Sequence, residues 1–275
     1  MLGGGDSGFL EAEILLSHVL GRSREWMLAQ GEEAVPGPVL YGYEKLVERR
    51  SATGVPIAYL VGHREFMGLD FSVNPGVLVP RPETETLVEA VQEWLERNGT
   101  RFPSGILVDA GCGSGIIAVS LARTTGRRII ATDSSPVAIN TTEANALRHG
   151  VEGLVDVRPG NWLGPVAGEA GTICAVASNP PYIPSGIIAS LDRDVRDFEP
   201  HGALDGGPDG LDSIRVLVRE ARRLVLVGGL LAMEIGDDQG PPVEALLAEA
   251  GWTGTRRIRD LAGLERVITA ENGPK

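Results

Sequence analysis

After Pro82 the chain repeats one pattern: an apolar run of strand length, an amphipathic stretch of helical period, then another apolar run. Such alternation folds as an open α/β sheet, because helices covering both faces leave the strands between them apolar along their whole length. ILVD (Ile106–Asp109), RIIATD (Arg128–Asp133), VDVRP (Val155–Pro159), TICAVASN (Thr172–Asn179) and GGLLAMEIG (Gly228–Gly236) read as five strands. Helical stretches fall at Gly115–Thr125, Pro136–Arg148, Leu211–Val225 and, beyond the fifth strand, Pro241–Ala250. The late segment RRIRDLAGLERVITA reads as two further short strands around a loop.

The residues ahead of this region follow a different period. From 9 to 60 the apolar positions recur at helical spacing (Leu10, Ile14, Leu15, Val19), break at VPGPV, and resume from Leu40 to Arg50. HREFMGLDFSVNPGVLVP then alternates apolar and polar residues around Gly68 and the Asn74-Pro75-Gly76 turn, which predicts a β-hairpin. The expected organisation is a helical domain over 1–62, a hairpin connector over 63–80 and an α/β domain over 81–275.

Composition limits what the fold can serve. With 275 residues and 43% hydrophobic content the chain can bury a sizeable core. No apolar run approaches the roughly 20 residues of a membrane span, and MLGGGDSGFLEAEILL lacks the basic flank and cleavage site of a signal peptide, so the expected compartment is the cytoplasm. Cys112 and Cys174 lie outside any CxxC spacing and the four histidines are scattered, so reduced thiols and no metal site are expected. A formal net charge of -12 and a pI near 4.9 repel a polyanion, which argues against sequence-specific nucleic-acid binding.

The loop in VDAGCGSGIIAVSLA places Gly111, Gly113 and Gly115, with Cys112 and Ser114 between them, at a strand-to-helix turn. Glycines there let the backbone turn tightly and approach a ligand, and the following helix offers free N–H groups. The pattern serves nicotinamide, flavin and S-adenosylmethionine pockets alike. Asp133, about 20 residues on at the end of the second strand, is placed to accept the hydroxyls of a ribose. Asp109 adds a second acid near the pocket. A pyrophosphate is repelled by such a carboxylate whereas a methionyl ammonium is attracted, so the pair leans toward S-adenosylmethionine.

The fourth strand ends on Asn179, Pro180, Pro181 and Tyr182. Ligands of open α/β sheets bind at the carboxyl ends of strands, and prolines there stop the strand while holding Asn179 and the Pro180 carbonyl in one pose. Two neutral acceptors beside an aromatic ring suit a planar –NH2 group: Asn179 and Pro180 take its hydrogens while Tyr182 stacks on its plane. Such a nitrogen is a poor nucleophile, and acceptors that draw its hydrogens would aim its lone pair at a methyl carbon. No strong general base is needed, and no His or Cys stands beside the motif.

These residues resemble a known family. NPPY together with VDAGCGSG is similar to the amino-methyltransferases, and PIAYLVGHREFMGLDFSVNPGVLVPRPETE with DVRDFEPHGALDGGPDGL resembles the release-factor glutamine methyltransferases, from about Glu11 to Ala270. The resemblance implies a Rossmann-like methyltransferase sheet with a small N-terminal all-helical domain and a β-hairpin connector. It implies methyl transfer from S-adenosylmethionine, leaving S-adenosylhomocysteine, to the glutamine amide in the Gly-Gly-Gln tip of class I peptide chain release factors, a step in protein methylation tied to translation termination. Gly111 to Gly115 would wrap the methionyl part, Asp133 the ribose and Trp162 the adenine region, while Asn179 to Tyr182 hold the glutamine. Arg81, Glu83 and Glu85 would line the pocket from the connector side. Asn161 stands where the family commonly has an aspartate. Methylation of adenine or cytosine in nucleic acid is the alternative that NPPY by itself leaves open; a nicotinamide-dependent oxidoreductase leaves Asn179 to Tyr182 unexplained, and a non-catalytic binding module leaves the donor pocket unexplained.

Overall fold

The computed structural model describes residues 6–31 and 33–274; residues 1–5, 32 and 275, although inside the expected ranges, lie outside it. Four helices come first: α1 (Asp6–Leu20), α2 (Arg24–Ala29), α3 (Gly37–Thr53) and α4 (Ile57–Val61). Ser23 caps α2 by accepting from the Trp26 N–H, and α3 and α4 each end on a left-handed glycine, Gly54 and Gly62. Arg50 of α3 ties this group together, pairing with Glu11 of α1 at 2.7 Å and reaching Asp194 of the later sheet region at 3.4 Å.

Strands β1 (His63–Phe66) and β2 (Leu69–Ser72) pair antiparallel across a two-residue turn. Met67 and Gly68 both have positive φ, 52° and 71°, the geometry whose twist suits a tight hairpin. Pairing therefore closes at Gly68 and ends at Ser72, and residues 73–80 run on without a partner strand. Asn145 helps fasten the hairpin to the rest, accepting from the Ser72 N–H at 2.8 Å and donating to the carbonyls of Ser72 and Ser114, and Arg148 of the same helix pairs with Asp70.

Helix α5 (Glu85–Asn98), not anticipated from the apolar pattern, leads into the seven-stranded sheet. It buries Leu87, Val88, Val91, Trp94 and Leu95 at helical spacing. Strands β3 (Ile106–Ala110), β4 (Ile129–Asp133), β5 (Val155–Pro159), β6 (Ile173–Ser178), β7 (Val225–Glu234), β8 (Trp252–Arg259) and β9 (Glu265–Asn272) lie in the order β5-β4-β3-β6-β7-β9-β8. Five are parallel, and β9 joins β7 antiparallel with β8 beyond it. Helices α6 (Ile116–Thr125), α7 (Pro136–Arg148), α8 (Arg193–Phe198), α9 (Asp212–Leu224) and α10 (Gly240–Glu249) fill the connections. Every residue of β3 and β6 is buried, as strands covered on both faces require.

The order reverses between β3 and β6. From β3 the chain steps outward to β4 and β5, then returns across the sheet to β6, so a crevice opens above the carboxyl ends of β3 and β6. Among the described residues, no helix is long and apolar enough to cross a membrane.

Candidate active site

The glycine loop leaves β3 at Ala110 and enters α6. Gly111, Gly113 and Gly115 have φ of 79°, 56° and 82°. A Cβ on Gly115 would meet Thr142 at 2.9 Å, and one on Gly111 would press the Trp162 ring at 3.2 Å, so side chains are excluded by both conformation and space. The Gly111 and Cys112 N–H groups donate to the Thr132 carbonyl, which moors the loop to β4.

Asp133, at the end of β4, accepts the Gly113 N–H at 3.0 Å on one oxygen and the Ser135 N–H at 2.8 Å on the other. Each oxygen keeps a lone pair for a further donor, and Asp133 faces a cavity of about 260 Å³. Gly111, Cys112, Gly113, Ser114, Asn161, Trp162, Asn179 and Pro181 share that cavity, while residues 76–81 wall it from the connector side. Trp162 holds φ of 47°, costly for a side chain of its size, and its carbonyl accepts from the Thr132 hydroxyl at 2.7 Å.

Asp109, expected near the pocket, sits beneath the loop and off the cavity wall. It is fully buried; Oδ2 accepts the Ala118 N–H in the first turn of α6 at 3.0 Å, and Oδ1 has no partner. Burial raises its pKa to about 7, the Asp133 charge adding to the rise and the Ala118 hydrogen bond opposing it.

On the acceptor side Asn179 and Pro181 face the cavity, whereas Pro180 and Tyr182 do not line it. Asn179 Nδ2 donates to Thr84 Oγ1 at 3.2 Å, Thr84 Oγ1 donates to Glu234 Oε2 at 2.7 Å, and the Tyr182 hydroxyl donates to Glu234 Oε1 at 3.2 Å. Burial pushes both the Glu234 carboxyl and the Tyr182 phenol above their ordinary values. Gln239 holds the Tyr182 carbonyl at 2.9 Å.

Of the three connector residues expected at the pocket, only Arg81 lines it, paired with the buried Glu199 at 2.5 Å. Glu83 is exposed, and Glu85 turns away to accept the Met67 N–H at 2.8 Å, securing the hairpin turn from the start of α5. Thr84 between them is the buried member of that segment and escaped sequence reasoning. Glu234 escaped it too, although a lone carboxylate in the apolar run GGLLAME was a legible signal.

Sheet order, glycine loop and strand-end Asn-Pro-Pro-Tyr define a Rossmann-like methyltransferase. Residues 3–62 match the PrmC N-terminal domain model and residues 83–176 the ribosomal protein L11 methyltransferase (PrmA) model. The release factor glutamine methyltransferase of Moorella thermoacetica is 43% identical over 270 residues, covering 98% of this chain and 93% of that protein. The ribosomal protein L11 methylase of Lactobacillus delbrueckii subsp. bulgaricus superposes with a TM-score of 0.52 at 18% identity, over 74% of this chain and 84% of that one. A Thermus thermophilus 16S rRNA N2 G1207 methyltransferase, solved with AdoMet and guanosine, superposes with a TM-score of 0.54 at 19% identity, over 76% and 49%. The chain belongs to the release factor glutamine methyltransferase family.

Proposed function

We propose that this chain methylates the side-chain amide nitrogen of the glutamine in the Gly-Gly-Gln motif of class I peptide chain release factors, with S-adenosylmethionine as donor. The observation that carries the reading is the acceptor side of the cavity. Thr84 engages the Asn179 –NH2, which leaves the Asn179 oxygen as the atom available to a ligand hydrogen.

The donor fits the residues present: a left-handed glycine loop whose Gly111 and Gly113 line the cavity, and an Asp133 on the same cavity with a spare lone pair on each oxygen. When bound, it supplies an electrophilic methyl carbon on a sulfonium. Gly111, Cys112, Gly113, Ser114 and Gly115 would hold its methionyl part, Asp133 its ribose and Trp162 its adenine. Asp109 would act from below by fixing the loop to α6.

Asn179 and the Pro180 carbonyl would accept the two amide hydrogens, with Pro181 on the cavity wall and Tyr182 behind it, its hydroxyl held by Glu234. That grip positions a weakly nucleophilic nitrogen and favours the charge it acquires as its bond to carbon forms and the carbon–sulfur bond breaks. The proton then leaves to solvent, and S-adenosylhomocysteine is released.

Residues 1–62 are read as the domain that docks the release factor, 63–80 as the connector and 81–275 as the catalytic domain. The enzyme would act in the cytoplasm, where translation terminates. Methylation of adenine or cytosine in nucleic acid is disfavoured by the net charge of -12.

Incubation with methyl-labelled S-adenosylmethionine and a release factor tests the reading, alongside a folded release factor whose tip glutamine is replaced. Label is expected on the first and not on the second. Equal label on both, or label only on added nucleic acid, overturns it.

A further inference from the structure

Three segments distant in the chain meet at one buried carboxyl group. Glu234 is the last residue of β7 and is 1% exposed; Thr84 belongs to the turn before α5 and is fully buried; Tyr182 follows β6. Thr84 and Tyr182 each place a hydroxyl on a different oxygen of Glu234.

A hydroxyl has a single hydrogen. With that of Thr84 committed to Glu234, its oxygen can only accept, and the donor that meets it is the Asn179 –NH2 at 3.2 Å. The hydrogen-bond chain therefore has one direction, from Asn179 through Thr84 to Glu234. A neutral acid at the end of the chain could donate instead and leave that direction free. Burial raises the Glu234 carboxyl and Glu83 adds to the rise, whereas the Thr84 and Tyr182 hydroxyls and Arg266, itself paired with Asp260 at 3.3 Å, favour the anion; the two hydroxyls meeting separate oxygens is the arrangement in which both oxygens accept. Gln239 reinforces the arrangement, since its Nε2 binds the Tyr182 carbonyl and its Oε1 accepts the Gly236 N–H at 2.9 Å.

We propose that Glu234 is a positioning residue for methyl transfer: by taking the hydroxyl hydrogens of both Thr84 and Tyr182, it obliges Asn179 to present its oxygen, never its –NH2, to the acceptor amide. The inference rests on Asn179 being the amide-binding residue, as read above. Glu234 acts through Asn179 and Tyr182 and touches no reacting atom.

Glu234→Gln provides the test, because an amide must offer its –NH2 to one of the two hydroxyls. Facing Thr84, it reverses the chain and turns the Asn179 –NH2 toward the pocket. Facing Tyr182, it reverses the phenol. The expected result is a fall in kcat of roughly 10- to 100-fold, the cost of one mismatched buried hydrogen bond. S-adenosylmethionine Kd, measured by calorimetry, should stay within about threefold, because the donor loop hangs from β3 and β4. Thr84→Val should lose a similar factor and Thr84→Ser recover most of it, while Glu234→Gln combined with Thr84→Val should be little worse than either alone.

The inference is overturned if Glu234→Gln and Thr84→Val both stay within about threefold of the native kcat, if donor affinity falls in step with turnover, or if Thr84→Ser is as impaired as Thr84→Val. Should Glu234→Gln fail to fold, the Thr84 pair decides alone. Native enzyme assayed on the release factor separates the two readings: no label there sinks the functional reading, whereas native label with Glu234→Gln and Thr84→Val both undiminished sinks only this one.

Discussion

The helices before the hairpin and the sheet behind it bury their apolar residues very differently. In β3 and β6 every residue is buried, and α6 buries an unbroken run from Ile116 to Ala122. By contrast α2 and α3 bury no residue, and Phe9, Leu28 and Tyr41 stay 69%, 70% and 64% exposed. The sheet is fastened by packing on both faces. The helices are fastened by α1–α3 contacts and by Arg50, whose ion pairs to Glu11 and Asp194 are the kind that contribute modestly. Close packing resists displacement, whereas an apolar surface without a cover remains available to another molecule. The proposed division of labour, chemistry in the sheet and docking in the helices, follows that contrast.

The sharpest way to break the comparison is to open a hole in the sheet. Leu107 is 1% exposed at the centre of β3, and Leu107→Ala should lower unfolding free energy by about 2–5 kcal/mol in a denaturant titration. A loss under about 1 kcal/mol would mean the sheet is not the rigid half.

Asn179→Ala comes next, and it acts on turnover. It should reduce kcat by an amount on the order of 2.7–4 kcal/mol while leaving donor binding nearly intact, by analogy with loss of an oxyanion donor. Asp133→Ala should do the reverse, weakening S-adenosylmethionine binding first. Equal loss of donor affinity in both variants would show that the two sides of the cavity are not separate.

Asp109 sharpens the comparison through pH. Its folded carboxyl is raised to about 7, against about 3.9 in an unfolded chain, so the folded state holds its proton more tightly. The stability this group contributes is complete below pH about 4 and drains away as pH rises through 7. Asp109→Asn keeps an acceptor for the Ala118 N–H and has no such slope. Between pH 4 and 8 it should gain on the native protein by a few kcal/mol, read from denaturation midpoints. Parallel pH profiles would contradict the buried acid.

The smallest effect on stability belongs to the helices. Leu28→Ser and Tyr41→Ser should move unfolding free energy by no more than about 0.5 kcal/mol. Their signature is a higher KM for the release factor at unchanged kcat, and an unaltered KM in both would remove the docking role from this surface.

Much of this was legible in the sequence, for reasons that differ by region. Strands covered on both faces advertise themselves as continuous apolar runs, so β3, β4, β5 and β6 fall within a residue or two of where the pattern places them. Helix α5 carries the same helical spacing, Leu87, Val88, Val91, Trp94 and Leu95 on one side and Glu89, Gln92 and Glu93 on the other, but it stands ahead of the first strand of the repeat, where no alternation sets the rhythm. That Asn179 and Asp133 stand at strand ends, where both line the cavity, was readable from their neighbours along the chain. Thr84 and Glu199 were not, and Glu234 was legible only as a carboxylate in an apolar run, since each acquires its partner only through the sheet order: Thr84 meets Glu234 across 150 positions and Arg81 meets Glu199 across 118. Glu83 and Glu85 were misplaced for a related reason. A run such as RPETE does not reveal which side chain the turn buries, and here it is the threonine.

The position of Glu234 at the far end of β7 also orders events during synthesis. A nascent chain that has emerged only as far as Leu224 already contains the glycine loop, Asp133 and the Asn-Pro-Pro-Tyr segment, yet Thr84 and Tyr182 still lack the carboxylate that receives their hydrogens. The carboxylate that fixes the direction of the Asn179–Thr84 hydrogen bond is thus among the last groups of the molecule to arrive, and a product truncated before β7 would keep the helical region while lacking that constraint.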